Sequence, residues 1–142
     1  PLIDGAGLRR LVETFRDPGV CMATLSFPLR PEDEQNPNAV KLVTDARGDA
    51  LYFSRSLLPY PRHRDQFQPM KHLGVYGYRR ETLLKLAALP ACSIERIDSL
   101  EQLRALYYGI KIRVVPADRE SPGVDTREDL ERVRKEFERR SA

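Results

Sequence analysis

The run VCMATLSFPL, residues 20–29, places the strongest constraint on how this chain folds. It is largely apolar, it has the length of one β-strand, and it is far too short to cross a membrane. An apolar run without alternation is typical of a strand that is buried in a sheet. The sequence therefore predicts a buried strand here.

Helical and strand-like patterns alternate around this run. The predicted elements, in chain order, are a helix over 4–16, the buried strand, a hairpin or two neighbouring strands in 39–56, a strand in 71–80, helices over 80–89 and 99–108, a strand over 111–116 and a last helix along Leu130, Val133 and Phe137. This order predicts a mixed α/β fold with some antiparallel pairing. The 142 residues suffice for one domain with its own core.

Composition argues against two classes of partner. The net charge of +3 is small and scattered, whereas nucleic-acid binding requires a concentrated basic face. No apolar segment approaches the length of a membrane span, so we expect neither a nucleic-acid nor a membrane partner. Cys21 and Cys92 have no metal-binding spacing and no disulfide framework, which favours reduced, buried thiols in a cytoplasmic protein.

The segment KHLGVYGYRR, residues 71–80, carries an unusual set of side chains for a strand. Alternation puts Leu73 and Val75 on one face and His72, Tyr76 and Tyr78 on the other. Gly74, between His72 and Tyr76, would clear space for a ligand to lie across the strand. The alternative is ordinary aromatic packing between strands, with the glycine at a bulge.

Three further polar positions are candidates for ligand binding. Arg55 ends a strand, where its guanidinium could grip a carboxylate or phosphate, or form only a surface ion pair. Leu100 and Leu103 face the core, so Glu101 and Gln102 should point away from it. There they could bind sugar hydroxyls or could simply be solvated.

The segment GVDTRED, residues 123–129, offers a carboxylate for a metal ion. Asp125 or Thr126 can cap the last helix, and capping by Thr126 would leave Asp125 for a hard cation. The sequence contains no Gly-rich phosphate loop, no Ser-His-Asp order and no zinc-binding spacing.

Four segments, taken in order, resemble the cytidylyltransferases that activate 3-deoxy-manno-octulosonate (Kdo), the CMP-Kdo synthetases of lipopolysaccharide synthesis. They are NPNAVKLVTDARGDALYFSRS, KHLGVYGYRR, SIERIDSLEQLRALYYGIKIRV and GVDTREDLERVR, and the opening PLID is similar to the residues that follow the family's Gly-Asp-Glu motif. The loop between Arg55 and His72 is shorter than the family pattern.

This resemblance implies the C-terminal half of a nucleotide-diphospho-sugar transferase-like (Rossmann-like) mixed sheet with flanking helices. Residues 1–142 would form the sugar-binding and dimerisation half of the enzyme, without its N-terminal nucleotide-binding half. Arg55, His72 and Tyr76 would bind the sugar acid, and Glu101 and Gln102 would hold its hydroxyls. Asp125 would be the catalytic residue that binds Mg²⁺.

The implied reaction transfers CMP from CTP to Kdo and releases pyrophosphate, in a cytoplasmic homodimer. We expect no turnover from these residues alone. Two other functions remain open: a related enzyme acting on sialic acid, or a non-catalytic fragment that serves only in assembly.

Overall fold

The structure, a computed structural model, describes residues 4–120, 124 and 127–141, which form a mixed α/β fold. The strands of the described part are β1 Met22–Pro28, β2 Lys41–Thr44, β3 Ala50–Ser54, β4 Met70–Tyr78 and β5 Arg113–Pro116. Its α-helices are α1 Gly5–Glu13, α2 Arg80–Ala88, α3 Ser93–Asp98, α4 Gln102–Tyr107 and α5 Arg127–Ser141. The predicted fold class is confirmed.

The five described strands form one sheet in the order β3-β2-β4-β1-β5. β1 pairs antiparallel with β4 on one side and parallel with β5 on the other, so it lies inside the sheet. Residues 22–26 of β1 are all buried. The buried strand that the apolar run predicted is confirmed.

Each face of the sheet has its own hydrophobic cluster. On one face, which we call the α4 face, Met22, Phe53 and Val114 pack with two leucines. Leu100 lies just before α4, and Leu103 lies within it. The opposite face, the α1 face, joins Leu11 of α1 to other buried residues. They are Val20, Ala23, Leu25, Leu73, Val115 and Ala117. Alternate residues of one strand therefore contribute to different cores.

Asp4 fixes α1 against the end of β5. Its carboxylate accepts hydrogen bonds from the backbone N–H groups of Ala6 and Gly7, each at 3.1 Å, and thereby caps the helix. The same carboxylate accepts the N–H of Asp118 at 3.1 Å, two residues beyond β5. This single side chain links elements far apart in the sequence.

Three details differ from the sequence-based expectations. The sequence patterns missed α3, because this six-residue helix buries a glutamate, Glu95, instead of an apolar stripe. In α5, Val133 is buried but Phe137 is 55% exposed. Cys92 is buried as predicted, whereas Cys21 is only half-buried.

None of the described helices is both long and apolar enough to cross a membrane.

Candidate functional site

The aromatic face of β4 lies on the α4 face of the sheet, as the alternation predicted. Tyr76 and Tyr78 pack against the cluster on that face, while Leu73 and Val75 belong to the α1 face. The ring centroids of His72 and Tyr76 are 5.4 Å apart, and those of Tyr76 and Tyr78 are 5.9 Å apart. The three rings form a continuous surface along the strand.

His72 is held by an aromatic contact and a hydrogen bond. Its ring meets Phe53 edge-on, with centroids 5.1 Å apart, and its Nε2 lies 2.9 Å from the Oγ1 of Thr24. Burial lowers the pKa of His72 from 6.5 to about 4, since an apolar environment disfavours the charged ring. The imidazole is therefore neutral at physiological pH and acts as a hydrogen-bonding group, not as a cation.

A β-bulge interrupts β4 beside these rings. Thr24 pairs with Tyr76 and the next residue, Leu25, pairs with Leu73, so Gly74 and Val75 have no counterpart in β1. The rings of His72 and Tyr76 contact each other directly. A Cβ at Gly74 would meet no atom within 4 Å, and the interpretation that Gly74 clears space for a ligand stays a prediction. Gly74 is exposed and marks the bulge, which was the alternative interpretation.

Gly77 of β4 makes room for a neighbouring side chain within the protein. A Cβ at this position would lie 2.6 Å from Cε2 and 3.0 Å from Cζ of Phe15. Phe15 packs on the α1 face, so this glycine serves the core and not the candidate site.

Glu101 lies close enough to the tyrosines to affect their ionisation. Burial raises the pKa of Tyr76, and the neighbouring Tyr78 and the Glu101 carboxylate raise it further. Burial and Glu101 likewise raise the pKa of Tyr78. Both phenols therefore keep their protons. Glu101 is exposed, as predicted, and its carboxylate can accept hydrogen bonds from a ligand.

Gln102 departs from its predicted position. It was expected to point away from the core, but it is only 7% exposed. Its side-chain Nε2 is buried and has no hydrogen-bond partner within the described residues. A buried amide donor without an acceptor is costly, so this group has an unused hydrogen bond that the described residues do not satisfy.

Arg55 is already engaged with backbone carbonyl groups. Its Nε donates to the oxygen of Asp98 at 2.8 Å, Nη2 to that of Ser99 at 3.3 Å and Nη1 to that of Pro37 at 2.9 Å. Asp98 and Ser99 form the C-terminal end of α3, where carbonyl groups lack helical partners. Arg55 thus caps α3 and holds the end of β3 close to the turn before Glu101. These bonds use three of its five guanidinium N–H groups, and two remain without a bond to these carbonyl groups.

Lys41 supports Arg55 from within the sheet, and the sequence reasoning missed it. Its side chain is fully buried, and its Nζ donates to the backbone oxygens of Arg55, at 3.0 Å, and Asn36, at 2.6 Å. Burial lowers the pKa of Lys41. The only signal in the sequence was a lysine at the start of the apolar run KLVT.

A cleft of about 300 Å³ opens beside Arg55. Its lining consists of Glu34, Gln35, Pro37, Arg55, Ser56 and Leu57. Among the predicted binding residues that the structure describes, Arg55 alone lines this cleft.

Asp125, the predicted metal ligand, lies outside the described residues. Within the described part of the chain, no three His, Cys, Asp or Glu side chains come together to hold a metal ion. A Mg²⁺ ion bound through one carboxylate and the phosphates of a nucleotide does not require such a cluster.

Comparison with known proteins identifies the family. A sequence profile described as cytidylyltransferase matches residues 1–112. The chain belongs to the cytidylyltransferase family.

The chain is 48% identical over 140 residues to the 3-deoxy-manno-octulosonate cytidylyltransferase of Solibacter usitatus, covering 96% of this chain and 56% of that protein. It is 44% identical over 135 residues to the enzyme of the same name from Fusobacterium nucleatum, covering 94% of this chain and 55% of the other. A solved structure of CMP:2-keto-3-deoxy-manno-octonic acid synthetase complexed with CTP superposes with a TM-score of 0.93 at 40% identity. That match covers 99% of this cytidylyltransferase chain and 58% of the other. The chain thus spans little more than half the length of these relatives.

Proposed function

We propose that this cytidylyltransferase chain supplies the sugar-acid site of an enzyme that transfers CMP from CTP to Kdo, for lipopolysaccharide synthesis. One observation carries the proposal: the rings of His72 and Tyr76 adjoin on the α4 face, and the Glu101 carboxylate lies close enough to Tyr76 to raise its pKa. Relatives that are 44–48% identical carry the name 3-deoxy-manno-octulosonate cytidylyltransferase.

The proposed site recognises a polyhydroxy acid by hydrogen bonds. The neutral ring of His72, the protonated phenol of Tyr76, the carboxylate of Glu101 and the amide of Gln102 offer both donors and acceptors to sugar hydroxyls. The two remaining N–H groups of Arg55 suit the sugar carboxylate. In this arrangement the chain contributes binding and orientation of the nucleophile.

In the proposed reaction, the anomeric hydroxyl of Kdo attacks the α-phosphorus of CTP. The new sugar O–P bond forms as the bond between the α-phosphorus and the bridging oxygen breaks, pyrophosphate leaves with that oxygen, and the proton of the hydroxyl passes to solvent. His72, with a pKa of about 4, is a poor proton acceptor at neutral pH, so its role is binding. Mg²⁺ held in part by Asp125 would neutralise phosphate charge and make the attacking hydroxyl more acidic.

We propose that the chain completes its active site with a nucleotide-binding half like the part of the relatives that it does not match. The isolated 142 residues would then show no turnover. The assembled enzyme would be a homodimer and, because it uses CTP, cytoplasmic. Light scattering of the complete protein measures the mass, and a monomer would contradict the dimer.

The reaction can be tested in a fusion of this chain to the unmatched part of the Solibacter usitatus relative. Pyrophosphate release would be measured with CTP and either Kdo or sialic acid, and folding would be checked by circular dichroism. We expect turnover with Kdo and little with sialic acid. A folded fusion that prefers sialic acid, or uses neither sugar, would reject the proposed substrate, and inactivity with both would favour a role in assembly.

The sugar site is tested by removing one hydroxyl. Tyr76→Phe should raise the KM for Kdo about threefold to tenfold, the value of one hydrogen bond, and leave the KM for CTP unchanged. The control is Tyr52→Phe, since Tyr52 lies on β3 and is 37% exposed. Equal kinetics for the two variants would remove Tyr76 from the site.

The metal assignment is tested at Asp125. Asp125→Asn removes the charge but keeps the size, and it should lower kcat at least a hundredfold if the carboxylate holds Mg²⁺. Near-normal turnover would end the assignment.

A further inference from the structure

Thr24 occupies an unusual position between the backbone of the bulge and the ring of His72. It lies 48 residues before His72 in the sequence and is fully buried in the centre of β1. Its Oγ1 has three neighbours: the carbonyl oxygen of Val75 at 2.9 Å, that of Leu73 at 3.3 Å and Nε2 of His72 at 2.9 Å. A single hydroxyl thus connects the bulge to the candidate site.

The proton of this hydroxyl determines the state of the ring. A hydroxyl donates one hydrogen and accepts through its lone pairs, whereas a carbonyl oxygen only accepts. Oγ1 can therefore form hydrogen bonds with the two carbonyl groups at the bulge only if the threonine proton points toward them. Oγ1 then faces Nε2 with a lone pair, and Nε2 must carry the hydrogen of the neutral ring.

The opposite arrangement costs more. If the hydroxyl donated to Nε2, Oγ1 would face the carbonyl oxygens of Leu73 and Val75, at 3.3 and 2.9 Å, with no hydrogen between the oxygens. Two oxygen acceptors at such distances repel each other, so the geometry favours donation to the backbone. Nδ1 is then the one acceptor of the His72 ring, and a ligand that bonds to the ring must donate to it.

We propose that Thr24 is a positioning residue that holds His72 as its Nε2–H tautomer, so that Nδ1 accepts a hydrogen bond from a hydroxyl group of the sugar. The assignment of the ligand rests on the proposed function, whereas the tautomer does not. A carboxylate cannot donate to Nδ1 at neutral pH, so within the sugar acid His72 recognises a hydroxyl and leaves the acid group to other residues.

The tautomer can be measured in the 142-residue chain itself. Long-range ¹H–¹⁵N correlation spectra distinguish a protonated from an unprotonated ring nitrogen, and the chain has only two histidines, His63 and His72. His63→Asn assigns the signals. We expect a protonated Nε2 and an unprotonated Nδ1 for His72 at pH 7. A predominantly Nδ1–H ring in the unaltered chain would overturn the proposal without any variant.

Substitutions at Thr24 test the cause. Thr24→Val removes the hydroxyl and should give a mixture of tautomers, whereas Thr24→Ser should keep Nε2–H. The matched control is Ser26→Ala, because Ser26 is a buried hydroxyl residue on β1 that pairs with His72 across the strands. It should leave the tautomer unchanged. An unchanged tautomer in a folded Thr24→Val chain would show that Thr24 does not set it.

Kinetics in the fusion test the functional part. Thr24→Val should raise the KM for Kdo about fivefold to tenfold with little change in kcat or in the KM for CTP, and Thr24→Ser should restore it. If the fusion uses Kdo and Thr24→Val leaves its KM unchanged, the positioning role fails while the proposed function stands. If the fusion does not use Kdo but the Nε2–H tautomer is observed, the proposed function fails and the structural assignment stands.

Discussion

The buried ring of His72 should make the stability of this chain depend on pH in a defined direction. Its pKa falls from 6.5 in the unfolded chain to about 4 in the folded one. Between these values the unfolded state binds more protons, so the free energy of unfolding decreases as the pH falls from 6.5 to 4. Above pH 6.5 the ring is neutral in both states, and the contribution is complete.

The magnitude follows from the two pKa values. A difference of about 2.5 in pKa corresponds to about 3 kcal/mol, since one unit is worth about 1.4 kcal/mol. Integration of proton binding gives a loss of about 2 kcal/mol on going from pH 7 to pH 5, and about 3 kcal/mol at pH 4. This is a large part of the stability of a domain of this size.

Urea denaturation at pH 7, 6, 5 and 4 would measure the effect. Carboxylates also titrate in this range, so the unaltered chain is compared with His72→Gln, which lacks the imidazole. The difference between the two free energies of unfolding should shrink by about 2 kcal/mol between pH 7 and pH 5. The exposed His63, replaced as His63→Gln, is the control. Parallel pH curves for the chain and His72→Gln would refute the reasoning.

Two further predictions concern packing and capping. In thermal melts, Gly77→Ala should destabilise the chain by about 1–3 kcal/mol, because the new Cβ would clash with Phe15. The control is Gly74→Ala, whose Cβ would meet no atom within 4 Å. It should be neutral or slightly stabilising. Arg55→Lys should lower the free energy of unfolding, measured by urea denaturation, by about 1–2 kcal/mol, since an ammonium cannot reproduce the three hydrogen bonds to carbonyl groups. The control is Arg62→Lys, at an exposed position. Equal stability of the two variants would contradict the capping role.

Much of the candidate site could be predicted from local pattern. Alternation in β4 correctly assigned His72 and Tyr76 to one face and Leu73 to the other, even across the bulge. The bulge inserts two residues, and an even number preserves which face each later side chain occupies. The resemblance to Kdo cytidylyltransferases then supplied the proposed roles, which periodicity alone does not carry.

Other parts of the site could not be predicted, because they depend on contacts between distant segments. The sequence gives no indication that Arg55 caps α3, which it reaches across more than forty residues. Helical spacing placed Gln102 away from Leu100 and Leu103, yet the turn that begins α4 buries it. The position of a side chain at a helix end depends on how the helix docks, and a repeat of 3.6 residues does not describe docking.

The sequence by itself determined the kind of elements and the face that each residue occupies. Apolar runs, alternation and helical spacing show which residues are buried. Each residue type has its own preference for burial, so the run over 20–29 already specified a buried strand. Only the tertiary structure decided which groups meet. The contact of Thr24 with His72 requires β1 and β4 to pair in one register with a bulge at Gly74, and that register arises from the packing of both cores at once.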